Sequence, residues 1–313
     1  MTRSRYILKR LLQTIPLIAG IMVLVMLLLH VVPGDPARAI GGMAASDETV
    51  EQIREELGLN RSFVAQYIAY VGNALQGDLG ISTRSRQPVT EIIGERLAPT
   101  LWLLTAGMIL SIVLASAVSV LAARNKDRAA DYALGGLTVI GLSMPAYWVG
   151  IMLLLLVALP TGAFPISGFG KGFWGHLNAI ILPALTFAIA ISPVMIRALR
   201  AKLVALYRND FVMMSRAVGL SESTILARHL SRHAALVLIT MVSVQVGPMI
   251  FVGVVIEKTF ALPGLGQALV NAVAQRDFPV VQGITLTTAL FVTFVHLGAD
   301  IFTSFVNPRT VLE

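Results

Sequence analysis

Apolar positions in this chain cluster into six long runs, and polar residues are confined to the stretches between them. The runs lie near 11–32, 99–123, 133–159, 178–199, 233–256 and 281–306. A helix rises about 1.5 Å per residue, so about 20 apolar residues cross about 30 Å of hydrocarbon. Each run therefore predicts a transmembrane helix. The first has Gln13, Thr14 and His30 as its polar exceptions and follows Arg3, Arg5, Lys9 and Arg10. With Ala37-Arg38-Ala39 just beyond it, a cleaved signal peptide competes with a retained span. The run exceeds the usual apolar core of such peptides, about 7–15 residues, which favours retention.

Two of the polar stretches are themselves patterned. The first is 33–98. Pro33-Gly34-Asp35-Pro36 is a turn sequence. Ser46-Asp47-Glu48 reads as a helix start, Val50, Ile53 and Leu57 form a stripe, and Gly58 ends it. Phe63, Tyr67, Val71 and Leu75 predict a second amphipathic helix ending near Gly77. Nine acids against six bases give this stretch a local charge of −3. It reads as a small helical subdomain on the outer side, either packing on the ends of the spans or meeting solute.

The second patterned stretch is an elbow over 205–232, centred on Tyr207–Leu230. It predicts two short helices with a break between them. Asn209 or Asp210 can cap the first, and Phe211, Met214 and Val218 fall on one side at steps of three and four. Gly219 stands where a left-handed residue would end that helix. Ser221 can cap the second, with Glu222 in its first turn. Such an elbow between two spans is either a cytoplasmic docking surface or a solvated connection.

Charge sets the topology. The loop 124–128 carries three bases and Arg197–Arg232 carries seven bases and two acids, whereas 160–177 carries one base. Basic loops stay inside. That leaves both termini in the cytoplasm and divides the chain into 1–32 (N-terminus and first span), 33–98 (outer subdomain), 99–306 (five-helix core with the elbow 205–232) and 307–313 (C-terminus). Pro145, Pro183, Pro193 and Pro248, with Gly135, Gly136, Gly141, Gly150, Gly247 and Gly253, lie in the spans and predict a closely packed, bent bundle. The fold class is an all-α integral membrane protein with six transmembrane helices.

Composition agrees. Of 313 residues 56% are hydrophobic and 13% charged, with a mean hydropathy of +0.78, against about 25% charged in soluble chains. The net charge of +7 follows from the basic inner loops and does not call for nucleic acid. With no cysteine, disulfides, thiolate metal sites and a thiol nucleophile are excluded. Neither a phosphate-binding G-x-x-x-x-G-K-[ST] loop, an H-E-x-x-H pair nor a G-x-S-x-G elbow occurs. His229 and His233 share a helical face without a nearby carboxylate, a poor metal site. The ionisable groups in the spans are few, His296 and Asp300 in the sixth and Glu257 and Lys258 at the end of the fifth, with fewer buried carboxylates than a proton-driven carrier would use. No catalytic residue, cofactor or metal is expected, and the chain cannot hydrolyse ATP alone.

Motifs in fixed order carry a resemblance to a known family. They are Arg10-Leu11-Leu12-Gln13-Thr14-Ile15-Pro16, His30-Val31-Val32-Pro33-Gly34-Asp35-Pro36, Glu56-Leu57-Gly58-Leu59-Asn60, Gly77-Asp78-Leu79-Gly80 and Arg96-Leu97-Ala98-Pro99-Thr100. Ser143-Met144-Pro145 with Trp148, Glu257-Lys258-Thr259-Phe260, Pro263-Gly264-Leu265-Gly266, Arg276-Asp277-Phe278-Pro279 and Asn307-Pro308-Arg309 complete the set. The chain resembles an ABC importer permease of the dipeptide/oligopeptide/nickel class, of its B type. The elbow is similar to that family's ATPase-coupling motif in Asp210, Phe211, Arg216, Ala217, Gly219, Leu220 and Ser221. It departs at Ser215, where alanine is usual, and at Val218, where a base is usual.

The resemblance implies a bacterial cytoplasmic (inner) membrane protein that pairs with a homologous second permease subunit. Two cytoplasmic ABC ATPase subunits would bind ATP and Mg, and an extracytoplasmic solute-binding protein would deliver solute. Short peptides are the expected solute, because no His, Asp or Glu cluster in the spans would coordinate a bare metal; nickel and glutathione are the sister readings. An ion-gradient carrier and a non-transporting scaffold are the readings from other classes.

Overall fold

The computed structural model describes residues 3–31, 36–42, 45–56 and 58–306. Pro33-Gly34-Asp35, Leu57 of the first stripe, the side chain of Asp300 and Asn307-Pro308-Arg309 lie outside the described residues. Regular structure among those described is helical throughout, with one isolated bridge between Ile81 and Pro88. The helices are α1 (Arg3–Val31), α2 (Pro36–Gly41), α3 (Asp47–Glu56), α4 (Phe63–Leu75), α5 (Val89–Arg124), α6 (Ala129–Ser143) and α7 (Ala146–Leu153). A π turn, Leu154–Ala158, joins α7 to α8 (Leu159–Thr161). Then come α9 (Gly172–Tyr207), α10 (Asp210–Ala217), α11 (Glu222–Ile225), a second π turn Leu226–Leu230, α12 (Ser231–Thr259), α13 (Leu265–Gln275) and α14 (Phe278–Val306).

Four helices among the described residues are long and apolar enough to cross a membrane: Val89–Arg124, Gly172–Tyr207, Glu222–Thr259 and Phe278–Ala299. The third apolar run is not one kinked helix. It breaks at Met144-Pro145, and its two halves, Ala129–Ser143 and Ala146–Thr161, meet at 103°. Proline removes a backbone donor and pushes the residue before it out of the helical region. Met144 accordingly has ψ 124°, so the helix stops where a mid-helix kink was expected. Counting the bent pair as one crossing gives five; the apolar part of α1, Leu12–Leu27, is shorter.

The chain divides into two compact units. One comprises Pro99–Pro263 with Val295–Glu313 and Met1–Arg3. At its centre is α9, which buries Leu182, Phe187, Ile191, Met195, Leu199 and Leu203 against α6, α7 and α12. Close approach depends on small residues: a Cβ on Gly107 would sit 2.6 Å from the Phe187 ring. Polar ties between helices are few and directed. Ser119 Oγ donates to the Ile196 carbonyl at 3.0 Å, and Arg200 makes a two-pronged bond to the buried Asp131, Nε to Oδ1 at 2.7 Å. Glu257, 1% exposed, accepts from Thr100 Oγ1 at 2.6 Å. Buried polar groups of this kind are tolerated because they are hydrogen-bonded.

The other unit comprises Ser4–Ala98 with Gly264–Phe294. Its core is Val89, Ile93, Leu265, Ala268, Ala272, Val280 and Ile284. The two helices that the sequence predicts between 46 and 77 are present. Ser46 Oγ accepts from the Thr49 N–H at 3.2 Å to open α3, and Ser62 Oγ from Ala65 N–H at 3.4 Å to open α4. Gly58 and Gly77 end them with φ of 65° and 83°. Asp277, far away in sequence, accepts from Ser82 Oγ at 2.5 Å and from the Thr83 N–H at 3.1 Å, fastening the 82–84 loop beside the end of α13.

Candidate coupling elbow

Helix α9 delivers the chain to the elbow. The Arg208 and Asn209 amides still bond back to Ala205 and Leu206, at 3.3 and 3.1 Å. Asn209 then takes the extended cap position of α10, without a side-chain capping bond. Asp210 is the first helical residue, where its charge favours the positive end of the helix dipole. Of the two caps the sequence offered, Asn209 is thus the cap by position and Asp210 the charge behind it.

Only Val212 of α10 is buried. It enters a cluster with Ala123, Leu199, Leu203, Leu206, Ile225 and Leu230. The predicted stripe, Phe211, Met214 and Val218, lies on the opposite side, with Met214 73% and Val218 78% exposed. The three-four spacing puts them on one side, as expected, and that side is exposed. One small β-branched residue anchors the helix, and the larger apolar side chains are presented outward together with Met213 and Leu220.

The end of α10 has both bonds of a Schellman cap. The Leu220 N–H donates to the Ser215 carbonyl at 3.1 Å and the Gly219 N–H to the Arg216 carbonyl at 2.9 Å. Gly219 has φ 88°, and a Cβ there would meet nothing within 4 Å. The requirement for glycine is therefore conformational and not steric. Ser221 opens α11 by accepting from the Thr224 N–H at 3.3 Å, as its position predicted. The second helix is not a short separate one. It continues through the π turn Leu226–Leu230 into α12, so the elbow holds one short helix, α10, between a turn at Arg208-Asn209 and a turn at Gly219.

A clamp that the sequence did not reveal spans this bend. Arg216 Nε donates to Glu222 Oε1 at 2.6 Å and Nη2 to Oε2 at 3.3 Å. The same guanidinium lies 5.8 Å from the centre of the Tyr207 ring, within cation–π range. The hydrogen bond to Glu222 raises the Arg216 pKa further above its ordinary value. Of the two departures from the family pattern, Ser215 donates to the Phe211 carbonyl at 2.7 Å and Val218 is the C-terminal cap residue of α10. No group of three or more His, Asp or Glu side chains suited to a metal is brought together among the described residues.

Long apolar helices, one pair broken at a proline and one span entered through a basic bent elbow, are those of a multi-pass membrane protein. Residues 115–312 match the family described as binding-protein-dependent transport system inner membrane component, and residues 3–104 match the corresponding N-terminal component. The chain belongs to this family and is a permease subunit of an ABC importer of the peptide/nickel class. It is 37% identical over 303 residues to the glutathione transport system permease protein GsiC of Escherichia coli (strain K12), covering 97% of each chain. The protein of that name from Shigella boydii serotype 4 (strain Sb227) is 36% identical over the same share. A chain from the structure titled inward facing conformations of the MetNI methionine ABC transporter superposes with a TM-score of 0.57. That match covers 69% of this chain and 96% of that one at 15% identity, a likeness of fold alone.

The family is one of multi-pass inner-membrane transport subunits that work with ATPase subunits and a binding protein, and they are not enzymes. Membership sets aside the ion-gradient carrier and the scaffold.

Proposed function

We propose that the chain is one half of a heterodimeric permease that imports short peptides, with the elbow as the joint gripped by an ATPase subunit. Asp210, Phe211, Arg216, Ala217, Gly219, Leu220 and Ser221 form that joint. The observation carrying this reading is the outward apolar side of α10, held at one angle by the Gly219 cap and the Arg216–Glu222 clamp. A solvated connection gains nothing from exposing Met213, Met214, Phe211 and Val218 on a braced helix. A partner's groove would bury them.

In this reading α1, α5, the broken pair α6–α8, α9, α11–α12 and α14 are six crossings. Both termini and the elbow face the cytoplasm, and 33–98 faces outward. ATP and Mg act on the partner ATPases, whose closure moves the elbows and biases the pore between inward and outward access.

Photo-crosslinking tests the joint: Val218→Cys carrying a thiol-linked benzophenone should trap an ATPase subunit in the assembled transporter, and a bare elbow would overturn the reading. Glutathione is the second reading, favoured by the 37% identity to a glutathione permease; it is itself a tripeptide. ATP-driven uptake of labelled dipeptide, oligopeptide and glutathione by the reconstituted complex separates the two.

A further inference from the structure

The unit that contains α3 and α4 carries a half-open cavity of about 810 Å³, lined by those helices, the 78–83 segment and the start of α14. Sites for small ligands measure about 300–1,000 Å³ and combine apolar walls with a few directed polar groups. This cavity has that character. Met26, Ile53 and Phe278 supply apolar surface.

Two hydroxyls on its wall are buried and unbonded among the described residues, Tyr70 OH and Thr83 Oγ1. Thr83 is only 9% exposed, and its backbone N–H is committed to Asp277, which fixes where its side chain stands. Burial pushes the Tyr70 phenol up to about 12, so it remains neutral at physiological pH. The neighbouring Gln66 is already occupied by the Leu59 and Arg61 carbonyls. A buried hydroxyl left without a partner is unfavourable. Both orphans therefore favour an occupant that brings hydrogen-bonding groups.

The wall also carries charge of both signs. Arg61 packs beside Gly58, and no carboxylate pairs with it among the described residues. Asp78 supplies a carboxylate. A guanidinium, a carboxylate, two free hydroxyls and apolar surface are together the complement of a short zwitterionic peptide. A guanidinium binds a carboxylate through two parallel bonds, and hydroxyls serve amide N–H and carbonyl groups equally.

We propose that this cavity is a solute site on the permease chain itself, taking a short peptide by its terminal carboxylate at Arg61 and its backbone amides at Tyr70 and Thr83. The inference rests on the peptide reading above and adds to it a place where solute rests outside the spans.

The test uses the assembled transporter in lipid nanodiscs without its binding protein. The probe is a tripeptide of alanine, benzoylphenylalanine and alanine, as free acid and as C-terminal amide, with crosslinks mapped by mass spectrometry. Saturable labelling within 49–83 or 278–282 is expected from the free acid. Arg61→Gln should cut that labelling about tenfold, to the level of the amide, by removing a charge-assisted pair. Tyr70→Phe and Thr83→Val should each lower labelling about threefold or more for acid and amide alike. Labelling confined to other segments, or unchanged in Arg61→Gln, overturns the proposal. ATP-driven uptake of the same tripeptide, measured with binding protein present, is the independent control. Uptake without cavity labelling removes the site and leaves the permease reading intact. Labelling without uptake keeps the site and removes peptides as cargo.

Discussion

Arg216 and Glu222 lie six positions apart on different helices and meet across the Gly219 bend, with Nε 2.6 Å from Oε1 and Nη2 3.3 Å from Oε2. Both side chains are 45% exposed. An exposed pair contributes at most about 1 kcal/mol to stability, so the clamp sets an angle more than it holds the fold.

Breaking the clamp should therefore separate coupling from stability. Glu222→Gln should leave melting of the complex nearly unchanged and lower solute-stimulated ATP hydrolysis. The swap Arg216→Glu with Glu222→Arg should restore part of it, because arginine at the start of α11 opposes the helix dipole. Full stimulation in Glu222→Gln would show that the pair has no part in the joint.

At Gly219 the backbone itself is the constraint. Valine in a left-handed conformation costs about 1–2 kcal/mol or more, and asparagine much less. Since a Cβ there has open space, Gly219→Val should insert and assemble but lose stimulated ATP hydrolysis, while Gly219→Asn retains most of it. Equal activity of the two variants would remove the bend from the mechanism.

Asp277 should be a stability determinant of its unit. At 4% exposed it satisfies both Ser82 Oγ and the Thr83 N–H. Asp277→Ala leaves those donors buried and unpaired, at about 1–3 kcal/mol for each group. Hydrogen exchange should accelerate across 78–86 and at the end of α13, with Asp277→Asn intermediate. Protection equal to the parent protein would count against the pin.

Packing of α5 on α9 can be tested with a size-compensating pair. Gly107→Ala places a methyl 2.6 Å from the Phe187 ring, an overpacking cost of about 1–3 kcal/mol. Gly107→Ala should lower the thermal midpoint in detergent, and Phe187→Leu in the same chain should recover part of the loss. Additive damage in the double variant would mean that the two residues do not share the space.

Topology is open to a single-cysteine measurement in this cysteine-free chain. Ser62 is the cap of α4, whereas Leu75 is 81% exposed at the far end of that helix. Leu75→Cys should react with an impermeant thiol reagent in intact cells. Reaction only after lysis would reverse the orientation.

What the sequence disclosed follows from the range of each interaction. Caps and terminators act over three to five residues, so Ser46, Gly58, Gly77, Gly219 and Ser221 were all legible. The spacing of Phe211, Met214 and Val218 was legible too, but spacing defines a side and not what that side meets; Val212 wins the core because α9 lies behind it. At Pro145 the same residue serves a kink or a stop, and packing decides. Contacts outside helical spacing left no local trace. Arg216–Glu222 crosses a break, and Ser82–Asp277 closes 195 positions.

The π turn Leu226–Leu230 has a consequence for divergence. Such a turn holds one residue more than an α-helical turn needs. Deleting one codon there would return the turn to regular α-helix, with the residues on either side keeping about the faces they hold now. The helix can thus absorb a one-residue loss beside the elbow in a single genetic step, without turning α12 in its bundle or re-aiming Phe211 and Met214.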